Sequence, residues 1–294
     1  MTAPEKLSKL YPPHTEPVGD GLYDDAGQPH NDGLYDVRAG GGDRWTSLFD
    51  PPLVPAPRGL FDAVTWLQDG TLPLRFLDGL QVRQQNIGVD GQFGVWDEDW
   101  CDAPDSASAA TKIKERPDAV IFDVEPITVY AYDHNQCGDM TGTSRAEVRQ
   151  RAIHVMTLTE QVSVETSVAA RLLADAPTAV PVTSVTAAVS ELEVALAKVG
   201  LMGYLHASPK WAAYLAESRL NLNGRSPLGH TWVFGGGYAD PLGDTIVATT
   251  QLFGWRGPMA VRDAIKLELN QYIAIAERSM AIAYEAAVAA VKVG

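Results

Sequence analysis

One long helical stripe, beginning near residue 144, limits this chain's fold more than any other feature. Ser144-Arg-Ala-Glu147 has the spacing of a capping box, in which a hydroxyl and a carboxylate satisfy the free N–H groups of a helix start. Val148, Ala152, Val155, Thr159, Val162, Thr166, Ala169 and Leu173 then step by fours and threes, which puts them along one side of a helix. Pro177 ends it, because proline lacks the N–H and clashes with the preceding turn. About 30 residues at about 1.5 Å each make a rod near 45 Å. Helices in globular proteins usually run roughly 8 to 20 residues. The stripe therefore predicts a spine crossing a flat, elongated molecule.

Residues 1–58 read as an extended arm. Pro12, Pro13, Pro17, Pro29, Pro51, Pro52, Pro55 and Pro57 punctuate it, with Gly19, Gly21, Gly27, Gly33 and Gly40 to Gly42 between. Such a segment cannot hold a helix and donates few ladder bonds. Gly21-Leu-Tyr-Asp24 is echoed once by Gly33-Leu-Tyr-Asp36, which suits paired turns better than a repeat array. The arm also carries Leu10, Tyr11, Leu22, Tyr23, Trp45, Leu48 and Phe49, more aromatics than a disordered linker holds. It is expected to lie against its own body or a neighbouring subunit.

Between arm and spine, Gly59 to Leu67 suits a short helix, with Leu60, Val64 and Leu67 on one face and Asp69-Gly70 as its stop. Leu72 to Val95 suits short strands broken at Asp78-Gly79 and Asp90-Gly91. Residues 97–111 read as an acidic loop. In the run from Ala119 to Tyr132, Ile127, Val129 and Ala131 alternate with Thr128, Tyr130 and Tyr132, a half-buried strand.

From Val182 the pattern becomes a compact α/β region. A helix is expected over 183–198 with Gly200 closing it, then a strand over 202–207. Ser208-Pro209 reads as an N-cap with proline in the first turn of a helix reaching Glu217. Trp232 to Phe234 and Thr245 to Thr250 read as strands around the turn Gly235-Gly-Gly237. Residues 265–293 favour long strands.

Composition excludes several classes. The 294 residues are 46% hydrophobic, enough for a sizeable core, and carry a formal net charge of −14. Sequence-specific nucleic-acid readout needs Lys and Arg on the binding face, so so acidic a chain disfavours it. Enclosing DNA needs no tight phosphate contact and stays open. Cys101 and Cys137 form no CxxC pair, and no His completes a zinc site with them. The start Met1-Thr-Ala-Pro-Glu-Lys6 has no apolar core of a secretion signal, and no apolar run reaches about 18 residues. A cytoplasmic place of synthesis and use is the expectation.

The chemistry-bearing motifs are weak. Gly235 to Gly243 lacks both GxGxxG spacing and a GK[ST] ending, and Asp240-Pro241 would break the helix that must hold a phosphate. His14, His30, His134, His154, His206 and His230 are scattered. Ser208 lies close to His206 but without a nucleophile elbow, so capping is the expected role. Asp97-Glu-Asp99 and Asp102 lack the glycine and spacing of a calcium loop and read as a solvated loop. Lys112-Ile-Lys114-Glu-Arg116 is too short for nucleic-acid recognition. Glu277-Arg278 stands inside an apolar strand, where charges need partners, so a buried structural pair is expected. No residue is assigned a catalytic, cofactor-binding or metal-binding role.

Taken in order, the elements resemble the Hong Kong 97-like fold of tailed-bacteriophage major capsid proteins, which encapsulin shells share. The local matches are Leu205-His-Ala-Ser-Pro-Lys-Trp211, Pro227 through Tyr238, and Ile246-Val-Ala-Thr-Thr250. The ending from Asn270 to Tyr284, through Glu277-Arg278 and on to Val293, is the strongest. The match is specific over residues 200–293 and architectural over 1–199. It implies an α+β chain. Residues 1–58 would be the N-terminal arm and 59–118 a short helix with an extended loop reaching a neighbour. Residues 119–177 and 261–294 would form a peripheral domain holding the spine helix, and 178–260 an axial domain.

The resemblance implies a non-enzymatic shell subunit that self-assembles into hexamers and pentamers around double-stranded DNA, as part of a virion assembled in a host bacterial cytoplasm. Implied partners are the chain itself, a separate scaffolding protein, a portal and decoration proteins, with no membrane and no cofactor. Trp45 and Phe49 of the arm would be buried across subunits. Some relatives join a loop lysine to an asparagine with a carboxylate beside the Glu-Arg pair. Here Ala276 stands in that place, Lys112 and Lys114 are the loop's lysines, and Asn270 matches only in approximate position. Covalent cross-linking is therefore not expected. Neither a fused scaffolding segment nor cleavage of the arm is expected. The rivals are an encapsulin shell with enzyme cargo, a soluble enzyme using His206, Ser208 or the acidic loop, and a tail or connector protein.

Overall fold

The long helix forms, and is longer than expected. In this computed structural model, which describes residues 34–38, 45–49, 59–67, 79–87, 120–136 and 141–294, it spans Gly142–Asp175 over 34 residues. The chain divides into two units, Met1–Val54 and Pro55–Gly294. The described part of the first unit is a hairpin of β1 (Leu34–Arg38) and β2 (Trp45–Phe49), paired antiparallel from Leu34 with Phe49 to Arg38 with Trp45. The other expectations for 1–58, and those for 88–119, lie outside the described residues.

In the second unit the chain runs through α1 (Leu60–Ala63), β3 (Thr65–Trp66), β4 (Leu80–Arg83), β5 (Ile121–Val124) and β6 (Ile127–Gln136) to the long helix, α2. The predicted helix over 59–67 is thus one turn followed by a short strand. The alternation over 127–132 holds: Val129 and Ala131 are buried while Tyr130 and Tyr132 stay open. The expected capping box is displaced. Thr141 caps α2 and its side chain accepts from the Ser144 N–H. The Ser144 hydroxyl accepts from Asn135 Nδ2 at 3.0 Å instead, and Glu147 pairs with Arg151.

After α2 come β7 (Val180–Val182), α3 (Val185–Val199), β8 (Tyr204–Ala207), α4 (Trp211–Glu217) and β9 (Thr231–Phe234). A 3-10 turn over Gly236–Tyr238, α5 (Ala239–Leu242), β10 (Thr245–Thr249), β11 (Phe253–Arg256), β12 (Ala260–Lys266), β13 (Gln271–Ala283) and β14 (Ala287–Val293) complete it. Ser184 caps α3, and Gly200 closes it at φ 76°, a left-handed conformation that glycine adopts without strain. The capping role predicted for Ser208 does not hold. Helix α4 starts at Trp211, and the Ser208 hydroxyl donates to the Ala239 carbonyl at 3.2 Å.

Two larger sheets organise the unit. One has the order β7-β14-β10-β8-β9, and the other β12-β13-β11-β3 with β6 also paired to β13. Both faces of the first sheet are covered, which is why its strands read as nearly continuous apolar runs. Leu205, Ala207, Ile246, Ala248, Val291 and Val293 point to α3. Val233, Val247 and Ala290 join the other core, with Tyr238 and Leu172 of α2. Strand β13 crosses beneath α2, and the small Ala274 and Ala276 are fully buried there. The sequence division placed 261–294 together. Within that stretch β13 belongs to the sheet with β6, while β14 pairs with β7 and β10.

The buried side of α2 also differs in phase from the predicted stripe. Val148, Ala152, Met156, Glu160, Val164, Glu165, Val168, Ala169 and Leu172 are buried. Val155, Val162 and Leu173, expected inside, are 43%, 48% and 40% exposed. Two glutamates take core positions that a hydrophobic pattern cannot reveal.

Candidate functional site

Burying a carboxylate without partners is costly, so each buried glutamate must be satisfied. Glu165 is fully buried. It accepts the N–H of Leu60 at 2.9 Å, the N–H of Gly237 at 2.9 Å and Nε2 of Gln161 at 2.9 Å. The Gly-rich turn that resembled a phosphate loop thus offers its backbone to an anion, and the anion is the chain's own. A Cβ on Gly235 would stand 2.5 Å from the Glu165 carboxyl carbon, and one on Gly237 would stand 2.2 Å from the Val162 carbonyl oxygen. No side chain fits at either place.

Glu160 meets two arginines. Arg278 Nη1 donates to both its oxygens at 3.0 Å, and Arg256 Nη2 donates to Oε2. Burial holds Arg278 below the usual guanidinium value, and the Glu160 carboxylate opposes that shift. The expected pairing within Glu277-Arg278 is corrected by the strand geometry. Successive side chains on a strand point to opposite faces. Arg278 turns to α2, while Glu277 turns to the other face and meets Arg262 at 3.3 Å.

His206 and Ser208 do not form a nucleophile–base pair. His206 is fully buried, with Nδ1 3.0 Å from the Tyr238 hydroxyl and Nε2 2.9 Å from the Thr249 hydroxyl. Thr249 donates its own hydrogen to the Thr250 carbonyl, so it accepts from Nε2, and Nδ1 accepts from Tyr238. Burial, with the nearby Arg171 charge, pushes His206 down to about 3, so it is neutral. Burial first, then the Glu165 charge, raises the Tyr238 hydroxyl well above its usual value. His230 is also held down by burial, the Glu193 carboxylate opposing, and its Nδ1 accepts the Gly203 N–H at 3.1 Å. Glu193 accepts from the Ser226 hydroxyl at 2.6 Å and the Leu228 N–H at 2.8 Å, tying α3 to the loop before β9.

Of the remaining sequence-named residues, His134 stacks on Tyr132 with ring centroids 6.5 Å apart, and His154 is half-buried on α2. His14, His30, Cys101, Cys137, the acidic segment and Lys112 to Arg116 lie outside the described residues. Among those described, no group of three or more His, Cys, Asp or Glu could hold a metal ion, and no helix is long and apolar enough to cross a membrane.

A surface cavity of about 360 Å³ is lined by Phe122, Arg171, Asp175, Tyr284 and Glu285 among others. Its converging polar groups bond one another. Arg171 lies over the Tyr284 ring at 4.8 Å, and the Tyr284 hydroxyl donates to Asp175 at 2.6 Å.

More apolar surface is presented outside the core. The face of β6 and β13 turned away from α2 bears Tyr130 (68% exposed), Tyr132 (60%) and Ile275 (40%). The outer side of α2 bears Val155, Leu158 and Val162. There, Thr159, Ser163 and Thr166 spend their hydroxyls on carbonyls four residues back in the same helix. The helix–sheet layer therefore presents apolar groups on both sides. The sequence pattern put Val155 and Val162 on one stripe with the buried Val148 and Ala152, so it did not separate this outer side.

No family model matches the chain, and no curated protein sequence matches it. Among solved structures the chain is similar to the capsid of an empty GTA particle at 11% identity and a TM-score of 0.49, over 86% of this chain and 94% of that one. It is similar to the mature capsid of bacteriophage PhiM1 at 10% identity and a TM-score of 0.47, over 88% and 91%. It is also similar to the holo-SrpI encapsulin complex from Synechococcus elongatus PCC 7942 at 13% identity and a TM-score of 0.49, over 84% and 91%. These three structures are two capsids and an encapsulin complex.

Proposed function

We propose that the chain is a structural shell subunit, the major capsid protein of a tailed bacteriophage. The observation that carries this is apolar exposure on both sides of one helix–sheet layer, at Tyr130, Tyr132 and Ile275 and at Val155, Leu158 and Val162. Large exposed apolar patches mark surfaces that another protein covers. The order of β6, a 34-residue helix, an α/β sheet and two late strands agrees with the resemblance drawn from the sequence. In this reading copies associate into hexamers and pentamers that close around double-stranded DNA, assisted by a separate scaffolding protein and a portal.

The shell is held without covalent links. Ala276 stands where a helper carboxylate would be needed, and Glu277 is occupied by Arg262. Denatured particles should therefore run as single chains on a gel, and a ladder of linked chains would refute this point. Particle contents test the rest. Nuclease-protected double-stranded DNA supports the capsid reading, and a protein cargo without DNA transfers the chain to the encapsulin reading.

A further inference from the structure

Of the six asparagines in the chain, only Asn223 is followed by glycine. Asn223-Gly224 forms the tip of a two-residue turn between α4 and β9. The Leu222 N–H donates to the Arg225 carbonyl at 2.7 Å, and the Arg225 N–H donates to the Leu222 carbonyl at 3.1 Å. Asn223 stands at φ 55° and Gly224 at φ 83°. Positive φ at both central residues is the primed hairpin turn, for which Asn-Gly is the favoured pair. Asn223 is exposed, so water reaches it.

The same pair is chemically labile. Glycine has no Cβ to shield its backbone nitrogen. That nitrogen, once it gives its proton to hydroxide, attacks Cγ of the preceding asparagine. A five-membered imide closes, and the side-chain nitrogen takes up a proton and leaves as ammonia. Water then adds to either imide carbonyl, leaving aspartate or isoaspartate at 223. The net exchange is water in and ammonia out.

The fold holds the attacking atom back. The Gly224 N–H donates to Oδ1 of Asn221 at 2.9 Å, and the Gly224 carbonyl accepts from the Trp232 N–H at 2.9 Å. Attack must first break the Asn221 bond and unlock the turn. We propose that Asn223 is a site of spontaneous deamidation, and that Asn221 is the latch that slows it. This goes beyond the shell reading and does not rest on it. Aspartate tolerates a left-handed backbone as asparagine does, so that product keeps the turn. Isoaspartate adds a methylene to the main chain, which a two-residue turn cannot absorb, so that product opens the pairing of Leu222 with Arg225.

The purified chain is aged in mildly alkaline buffer, both folded and in denaturant, and sampled over time. Cleavage after Arg219 and Arg225 releases residues 220–225, and fragmenting that peptide in a mass spectrometer places the new acid at 221 or 223. Conversion at Asn223 should be at least about tenfold slower in the folded chain than in denaturant. Asn221→Ala removes the acceptor and should speed conversion of the folded chain about three- to tenfold, the worth of one hydrogen bond. Asn221→Asp keeps an acceptor, binds the N–H more strongly and opposes the amide anion, so it should slow conversion about threefold. Unfolding midpoints of both variants are read alongside.

Equal rates in the folded chain and in denaturant, or conversion at Asn221 instead, overturn the proposal. So does a folded Asn221→Ala chain that converts no faster than the wild type. If Asn221→Ala loses the fold, Asn221→Asp decides alone: slower conversion supports the latch, and unchanged or faster conversion sinks it.

Discussion

Glu165 of the long helix accepts the backbone N–H of Gly237, 72 residues further along the chain, at 2.9 Å. The same carboxylate accepts the N–H of Leu60. One buried side chain thus anchors the helix to the Gly-rich turn and to α1. Glu165→Ala would leave both N–H groups buried and unpaired, at roughly 1–3 kcal/mol each. A loss of about 3–5 kcal/mol in chemical denaturation is predicted. Glu165→Gln keeps the shape but turns a donor toward one N–H, so a smaller loss of about 2 kcal/mol is predicted. Gly237→Ala should destabilise by more than about 2 kcal/mol, since its Cβ meets the backbone of α2.

The Glu160 cluster behaves differently from a simple ion pair. Removing Glu160 leaves two guanidiniums facing each other, so Glu160→Met should cost about 3–5 kcal/mol. Glu160→Met combined with Arg278→Met removes the most buried unpaired charge and should cost less than the single change. Denaturant midpoints of the two variants decide this, and a double variant less stable than the single one would contradict it.

How much of this was legible in the sequence depended on where partners sit. The strand at 127–132 was readable because one of its faces is buried and period two is local. The end of α2 was readable because Pro177 forbids continuation. The phase of α2 was not, because Glu160 and Glu165 occupy core positions through partners far away in sequence. Arg278 lies 118 residues from Glu160, and no local pattern announces it. The Ser208 cap failed for a similar reason, since the Ala239 carbonyl competes for its hydroxyl. The Glu277-Arg278 dipeptide was rightly seen to need partners, but only the faces of β13 show that the partners are Arg262 and Glu160.

The buried His206 makes stability depend on pH. Its value falls from 6.5 to about 3 on folding, so the folded state resists a proton that the unfolded chain accepts. Its contribution is complete above about pH 6.5 and is lost progressively as pH falls towards 3, with a slope of at most about 1.4 kcal/mol per pH unit. The stability difference between wild type and His206→Gln should shrink from pH 6 to pH 4 in urea unfolding. A difference independent of pH would show that His206 is not the group responsible.

Exposed residues separate folding from assembly. Tyr130→Ser with Tyr132→Ser lies on the open sheet face, where both rings are mostly solvated. Surface changes of this kind alter stability by only about 0.5 kcal/mol. The unfolding midpoint should barely move while the yield of assembled particles falls. Unchanged particle yield would free this face from any role in subunit contact.

The decisive measurement is negative-stain electron microscopy of the purified chain, alone and after co-expression with a candidate scaffolding protein. Closed shells of uniform size are predicted in at least one of these conditions. Rings or tubes would point to a tail or connector protein, and a monodisperse monomer under every condition would contradict the shell reading outright.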